Sequence, residues 1–470
     1  MIPFLVLIVL IIVNIALSPS FSPTWDFPEH LFAGLVRLGM AAKPADYQYL
    51  PYGYINDALP ILFSRLFPVS WFPTSYHLFS VVIGCAGLIF FYLLVKDGFG
   101  KKVAFLSSVT LFLLPRFIGY LHVDIKDSVT ASFLIITSFF FNRYLTRRKI
   151  IYAIFSVLFY ACAVNTKITA LQFYPVLVVW MLFDILKDKL RAISEKNSIS
   201  EGMPGLILLL FHLLIPVAIF FLLWPASIND FINIVKNVND SIYRLPYTAN
   251  QLYALEQLFV TTPLPILTFV PFGMWTAWKK IQKKDSLSFF FLFLFFWTFL
   301  KYPLLRQPVI DNVRYFLEVF YPLAVFFVLG VGYIAKKYAT LTYLGVFLFC
   351  LYLFFTTHPY QINYYNALAV NRDADFWASS YKEAIGYVNK VTPKGAIVSC
   401  HMAELLAQYY LRPDLREKLN TKPPEQSDVV VILNRPSVFP LFRLSEYYER
   451  NKPRKVISDR EGTPLTYIYY

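Results

Sequence analysis

Apolar runs long enough to cross a bilayer recur along the first 357 residues, and every second loop between them is basic. This pattern constrains the fold more than any other feature. About 20 mainly apolar residues are needed to span the hydrocarbon core, and eleven candidates are legible: 2–18, 76–95, 103–120, 128–143, 149–165, 168–186, 205–224, 259–278, 286–302, 316–335 and 339–357. The chain is 57% hydrophobic and 15% charged, whereas a soluble domain is about a quarter charged. A polytopic α-helical membrane protein with about eleven transmembrane helices is expected.

The loops orient it. Lys96, Lys101 and Lys102 occupy one; Arg143, Arg147, Arg148 and Lys149 the next alternate one; then Lys187, Lys189, Arg191 and Lys196; then Lys279, Lys280, Lys283 and Lys284; finally Lys336 and Lys337. Positive loops stay cytoplasmic. Segments 19–75, 116–127, the turn at Asn165-Thr166-Lys167, 225–258, 303–315 and the tail from 358 onward are therefore expected on the extracytoplasmic side. The first run lacks a basic leader and reads as a retained anchor rather than a cleaved signal. The net charge of +14 has this topological origin, and no basic stretch carries the aromatic pattern of a nucleic-acid module. Four cysteines without paired spacing indicate neither a zinc site nor a disulfide framework.

Two organisational units follow: a membrane unit over 1–357, whose outer loop 19–75 begins with an interfacial helix near 26–40, and a small extracytoplasmic α/β unit over 358–470. In the helix, Phe27, Leu31, Leu35 and Leu38 recur at helical spacing. In the tail, a helix near 375–390 precedes the run Ala396-Ile397-Val398-Ser399. A helix near 401–411, the run Val429-Val430-Val431-Ile432-Leu433 and a terminal strand ending at Tyr470 follow.

Acidic clusters stand where chemistry at a lipid–water boundary would need them. Asp26-Phe27-Pro28-Glu29-His30 and His122-Val123-Asp124-Ile125-Lys126-Asp127 each follow an apolar run and fall on the same expected side. Charges beside hydrocarbon need a partner or a task. Helix capping accounts for Asp26 with Glu29, and for one of Asp124 and Asp127, about as simply as catalysis does. The functional reading makes Asp26 a general base, because an acceptor hydroxyl must lose its proton as it becomes a nucleophile, with Glu29 or His30 orienting it. Lys126, Lys167, Arg306 and Arg314 are the outer cations suited to a phosphate, and anchoring at lipid headgroups is their alternative role. Asp124 and Asp127 with His30 or His122 form a permissible set for Mg²⁺ or Mn²⁺, though the spacing is no metal signature.

These features resemble the GT-C superfamily of membrane glycosyltransferases, and within it the protein O-mannosyltransferase and aminoarabinose transferase branch. The resemblance is carried by the acidic motif at Asp26, the segment His122 to Ser128, the segment Asp311-Asn312-Val313-Arg314-Tyr315-Phe316 followed by Tyr321-Pro322, and His358-Pro359-Tyr360 with Tyr364-Tyr365-Asn366. It implies a polyprenyl-phosphate-linked sugar as donor, inversion at the anomeric carbon, and Asp26 as base. The branch often has two adjacent acids where Phe27 and Pro28 here separate Asp26 from Glu29.

The expected protein is thus an integral membrane glycosyltransferase, moving a sugar from a lipid phosphate to the hydroxyl of a protein, lipid or glycan acceptor. A transporter or flippase of a glycan pathway is the rival. It would place its charges near the bilayer midplane and show repeated halves, whereas these acids lie at the ends of apolar runs and no repeat stands out. A non-catalytic assembly partner is the third reading.

Overall fold

A computed structural model describes residues 2–44, 52–195, 203–224, 228–243, 252–305, 312–370 and 373–470. Helices cover each expected apolar run. They are α1 (Ile2–Leu17), α2 (Phe27–Arg37), α3 (Tyr54–Asp57), α4 (Leu59–Ser64), α5 (Thr74–Leu113), α6 (Pro115–Val123), α7 (Asp127–Arg147), α8 (Ile150–Thr166), α9 (Tyr174–Glu195), α10 (Met203–Leu222), α11 (Ile228–Tyr243), α12 (Tyr253–Thr261), α13 (Leu264–Gln282), α14 (Ser286–Leu305), α15 (Phe320–Ile334) and α16 (Ala339–Thr357).

Among the described residues, six helical segments are long and apolar enough to cross a membrane by length and composition: Thr74–Leu113, Ile168–Asp188, Gly205–Leu222, Ser286–Leu305, Arg314–Ile334 and Lys336–Thr357. The expected count of eleven departs from this for local reasons. Spans 76–95 and 103–120 share one helical trace that kinks at Gly100, and the second breaks at Leu114, which is extended before Pro115 opens α6. The α7 helix is too polar to stand out. It lies inside the bundle, where Thr130, Ser132, Thr137 and Ser138 donate to carbonyls one turn back, so its hydroxyls need no solvent.

The loops separate to two ends of the bundle. At one end Arg143 meets Asp97 at 2.9 Å, Arg148 meets Asp184 and Asp188 at 3.3 and 2.9 Å, and Lys280 lies over Phe99 at 4.6 Å. At the other end α2, α3, the α6–α7 connection, the turn after α8 and the 3-10 turn Arg314–Val319 converge. Basic runs and acidic motifs thus occupy opposite ends.

The tail forms a four-stranded sheet of order β1-β2-β4-β3, with β1 (Val398–Ser399), β2 (Val429–Leu433), β3 (Lys455–Ser458) and β4 (Pro464–Tyr469). The β1–β2 pair is parallel and the other two pairs are antiparallel. Helices α17 (Tyr381–Val391) and α18 (Glu404–Tyr410) accompany it. The α17 helix starts later than its apolar pattern suggested, because Asp375 gathers the amides of Trp377, Ser379 and Ser380 into a turn. The β3 strand carried no strand signal in the sequence.

The segment joining bundle and sheet is clamped. Arg116, buried on α6, donates to the carbonyls of Tyr364 (2.7 Å) and Ile362, and Asn366 donates to Phe259 and Thr262 carbonyls at 2.6 and 2.7 Å. Trp377 beyond it donates to the Tyr120 hydroxyl at 3.3 Å and its carbonyl accepts the Trp25 amide at 3.0 Å, which seats it on the converging end of the bundle.

A candidate active site at the converging end

Asp26 precedes α2 but does not cap it; its side chain makes no capping hydrogen bond. Its carboxylate instead accepts from Lys126 Nζ and lies 3.5 Å from Arg314 Nη1, joining three segments far apart in the chain. Burial raises its pKa, but Lys126 and Arg314 more than reverse this and hold it well below the usual carboxylate range. The side chain stays 29% exposed, so a solute can reach it. Glu29 is exposed one turn on; partial desolvation and the nearby Asp26 charge push its pKa up.

Lys126 is almost fully buried. Its ammonium also donates to His30 Nε2 at 3.1 Å and sits 5.1 Å from the Tyr52 ring centre. Burial disfavours its charge, yet Asp26 and Tyr52 outweigh that and raise its pKa. Burial and the Lys126 charge lower the His30 pKa, against the pull of Asp57 and Asp26.

Asp124 and Asp127 work as a pair. Asp124 accepts the Lys126 and Asp127 amides at 2.9 and 3.2 Å, so it shapes the turn into α7, as the capping alternative anticipated. Burial first, and the adjacent Asp127 charge second, push its pKa up. Asp127 is held down, against burial, by Lys167, with which it forms a buried ion pair, and by Arg314. The two carboxylates titrate as a pair, and the Lys167 contact favours the charge on Asp127.

Lys167 follows α8. Its backbone bridges Tyr52, and its ammonium lies 4.1 Å from the Tyr315 ring centre. Arg314 lies between the rings of Tyr315 and Trp377, at 4.8 and 4.9 Å. A cavity of about 160 Å³ opens here, lined by Asp127, Lys167, Lys301, Arg314, Tyr315 and Glu318 among others. Three cations face two carboxylates, which suits a singly charged anion. Lys301 and Glu318 pair at 2.7 Å.

Two expectations separate from this cluster. His122 turns away: its Nε2 is 3.1 Å from Asn14 Oδ1, its Nδ1 is 3.4 Å from Ser18 Oγ, and its ring stacks on Phe21 at 4.1 Å. It is a packing residue between α1 and α6, because successive residues of a helical turn face different sides. Arg306 lies outside the described residues. The set Asp124, Asp127, His30 and His122 does not assemble as metal ligands, since His30 is committed to Lys126 and Asp57 and His122 is elsewhere. Among the described residues no three His, Cys, Asp or Glu side chains converge to hold a metal ion.

Sequence reasoning passed over Asp57, Lys301, Glu318 and Trp377. Asp57 is fully buried and receives Arg37 Nε at 2.8 Å and His30 Nδ1 at 3.2 Å. Its one visible signal was an acid in a proline-rich loop.

Fold and site together describe a multi-pass helical bundle with a small α/β unit and a charged recess at one end. Residues 61–224 match the dolichyl-phosphate-mannose-protein mannosyltransferase family. Among solved structures, ArnT from Cupriavidus metallidurans bound to undecaprenyl phosphate superposes with a TM-score of 0.57 at 12% identity, covering 99% of this chain and 97% of that one. The same enzyme in the apo state gives 0.52 at 13%. The Archaeoglobus fulgidus oligosaccharyltransferase tethered to an acceptor peptide gives 0.51 at 12%, covering 90% of this chain. This chain spans 64% of that enzyme's length. No curated protein sequence matches the chain.

Proposed function

We propose that this protein transfers a sugar from a polyprenyl-phosphate donor to an acceptor hydroxyl at the extracytoplasmic face, with inversion and with Asp26 as general base. The observation that carries this reading is the Asp26 carboxylate held between Lys126 and Arg314, where Arg314 also lines the neighbouring cavity. A partly exposed carboxylate beside a cationic recess is what an inverting transfer from a phosphate leaving group requires. Inversion needs a base on the sugar face opposite the leaving group.

The electrostatics imply an order of events. With both cations on it, Asp26 is a weak base, since basicity falls with pKa. A donor phosphate entering the cavity competes for Lys126, Arg314 and Lys167. As they turn to the phosphate, the Asp26 pKa returns toward its ordinary value and the carboxylate can take a proton. The acceptor oxygen then bonds to the anomeric carbon, the bond from that carbon to the phosphate oxygen breaks, and its electron pair leaves with the phosphate. The acceptor proton ends on Asp26. The departing phosphate is stabilised by the same cations.

Asp127, ion-paired with Lys167, forms part of the cavity wall. The GT-C fold, shared with an enzyme solved holding undecaprenyl phosphate and with one solved holding an acceptor peptide, supports the donor class and the presence of a separate acceptor. The alternation of basic loops supports the extracytoplasmic placement.

The test is transfer in proteoliposomes from polyprenyl-phosphate sugars, with wild type, Lys126→Ala and Arg314→Ala compared at saturating acceptor. Loss of transfer in both variants with thermal stability retained is expected. Wild-type transfer in either variant, or sugar-independent lipid flux by the wild type, would sink the reading.

A further inference from the structure

A chain of buried charges runs behind Lys126, away from the cavity. Lys126 Nζ contacts His30 Nε2 at 3.1 Å, His30 Nδ1 lies 3.2 Å from Asp57 Oδ1, and Asp57 Oδ2 receives Arg37 Nε at 2.8 Å. Arg37 Nη2 then donates to the carbonyl of Tyr52 at 2.7 Å, whose ring faces Lys126. The side chains of His30, Arg37 and Asp57 are at most 2% exposed.

The tautomer follows from the donors. An ammonium has no lone pair, so Nε2 must accept and the ring proton must sit on Nδ1. That proton points at Asp57. Asn56 Nδ2, 2.7 Å from the same Asp57 oxygen and 2.9 Å from Nδ1, finds its acceptor in the carboxylate. Asp57 accepts the Nδ1 proton and so favours the same imidazole form that Lys126 requires.

The backbone pins this arrangement. A Cβ added at Gly34 would lie 2.0 Å from the Asp57 carbonyl oxygen, and one at Gly53 would lie 1.8 Å from that of Asn165. The α2 helix, α3 and the turn bearing Lys167 thus touch backbone to backbone, and Asp57 has no freedom to shift from His30.

We propose that Asp57, acting through His30, is a positioning residue that holds the Lys126 ammonium in line for the donor phosphate. Lysine is a point charge on a flexible stem. With Asp26 as its sole fixed acceptor it would follow that carboxylate; His30 gives it a second anchor that it keeps while it exchanges Asp26 for phosphate. This inference rests on the reading that the site binds a lipid phosphate.

The experiment measures undecaprenyl phosphate affinity of the full chain in nanodiscs for wild type, Asp57→Asn, His30→Gln and the double variant. Histidine-selective ¹⁵N NMR is recorded in parallel, with the His30 signal identified by its loss in His30→Gln. Wild type should show a protonated Nδ1 and a bare Nε2, and Asp57→Asn a mixture of tautomers. Asp57→Asn should weaken binding about tenfold, the worth of one hydrogen bond to a charged group. In the His30→Gln background it should add less than about twofold, because residues acting through one another are not additive. Equal losses in both backgrounds, or an unchanged tautomer in Asp57→Asn, would overturn the proposal. Should Asp57→Asn unfold, Asp57→Asn with Arg37→Gln removes both charges of the pair and is put through the same cycle. Saturable binding without transfer from any lipid-linked sugar would refute the transferase reading while leaving this cycle decisive; no saturable binding of undecaprenyl phosphate by wild type would refute both.

Discussion

Asp26→Asn should move two observables in opposite directions. On the proposed reading the Asp26 carboxylate competes with a donor phosphate for Lys126 and Arg314, one in hydrogen-bond contact and the other at 3.5 Å. A charge-assisted hydrogen bond is worth roughly 1.5–3 kcal/mol, which corresponds to about 10- to 150-fold in affinity. Asp26 is 29% exposed, so screening places the expected gain at the lower end, about tenfold tighter binding of a polyprenyl phosphate. Transfer should nevertheless fall by about 10²- to 10⁴-fold, the usual contribution of a general base. Binding is read by lipid titration of the purified protein in nanodiscs, and transfer by product formation from a labelled donor in proteoliposomes. Wild-type transfer would refute the base assignment. Weaker phosphate binding would refute the competition between Asp26 and the donor, because removing a competitor cannot lower affinity.

Asp124 should make the site sensitive to alkali. Its pKa is raised to about 8, so it binds a proton in the folded protein that it lacks when unfolded, and the stability from that proton is lost as pH rises toward and through about 8. Donor affinity should decline over the same window, and Asp124→Asn should flatten both curves in thermal melts and lipid titrations from pH 6 to 9. Lys167→Ala leaves Asp127 buried without its cation and should cost about 3–5 kcal/mol, read as a lowered Tm; Lys167→Met with Asp127→Asn should restore most of the stability but not phosphate binding. Gly53→Ala drives a methyl into the Asn165 carbonyl and should cost about 1–3 kcal/mol, loosening Tyr52 from Lys167 and raising the donor KM. Retention of wild-type Tm and KM by Gly53→Ala would contradict the close approach.

Individual residues show why some of the site was legible and some was not. Asp26, Asp124, Lys126, Asp127, Lys167 and Arg314 could be singled out because a charge at the end of an apolar run is conspicuous. The chemistry proposed for them starts from carboxylates and cations on one expected side, which suggest a phosphate and a base. His122 was misleading for the same reason: it stands two residues from Asp124, yet a helical turn aims it at Asn14. Asp57 and Arg37 were invisible as a unit because their partnership spans 20 residues across a loop with no periodicity. Glu318 reads as one polar residue in an apolar run until Lys301 is seen to reach it. Trp377 belongs to the tail, and its contacts with Tyr120 and Trp25 bring it to Arg314.

Hydrophobic periodicity and loop charge determined by themselves that this chain is a bundle of membrane helices with its two acidic motifs at one end, because both are local properties of consecutive residues. Which side of each helix faces inward, and so which charges meet, depends on packing between segments as far apart as residues 26, 126 and 314. That was decided only by the tertiary structure. An ion pair is a property of two positions in space, and no run of residues encodes the distance between them.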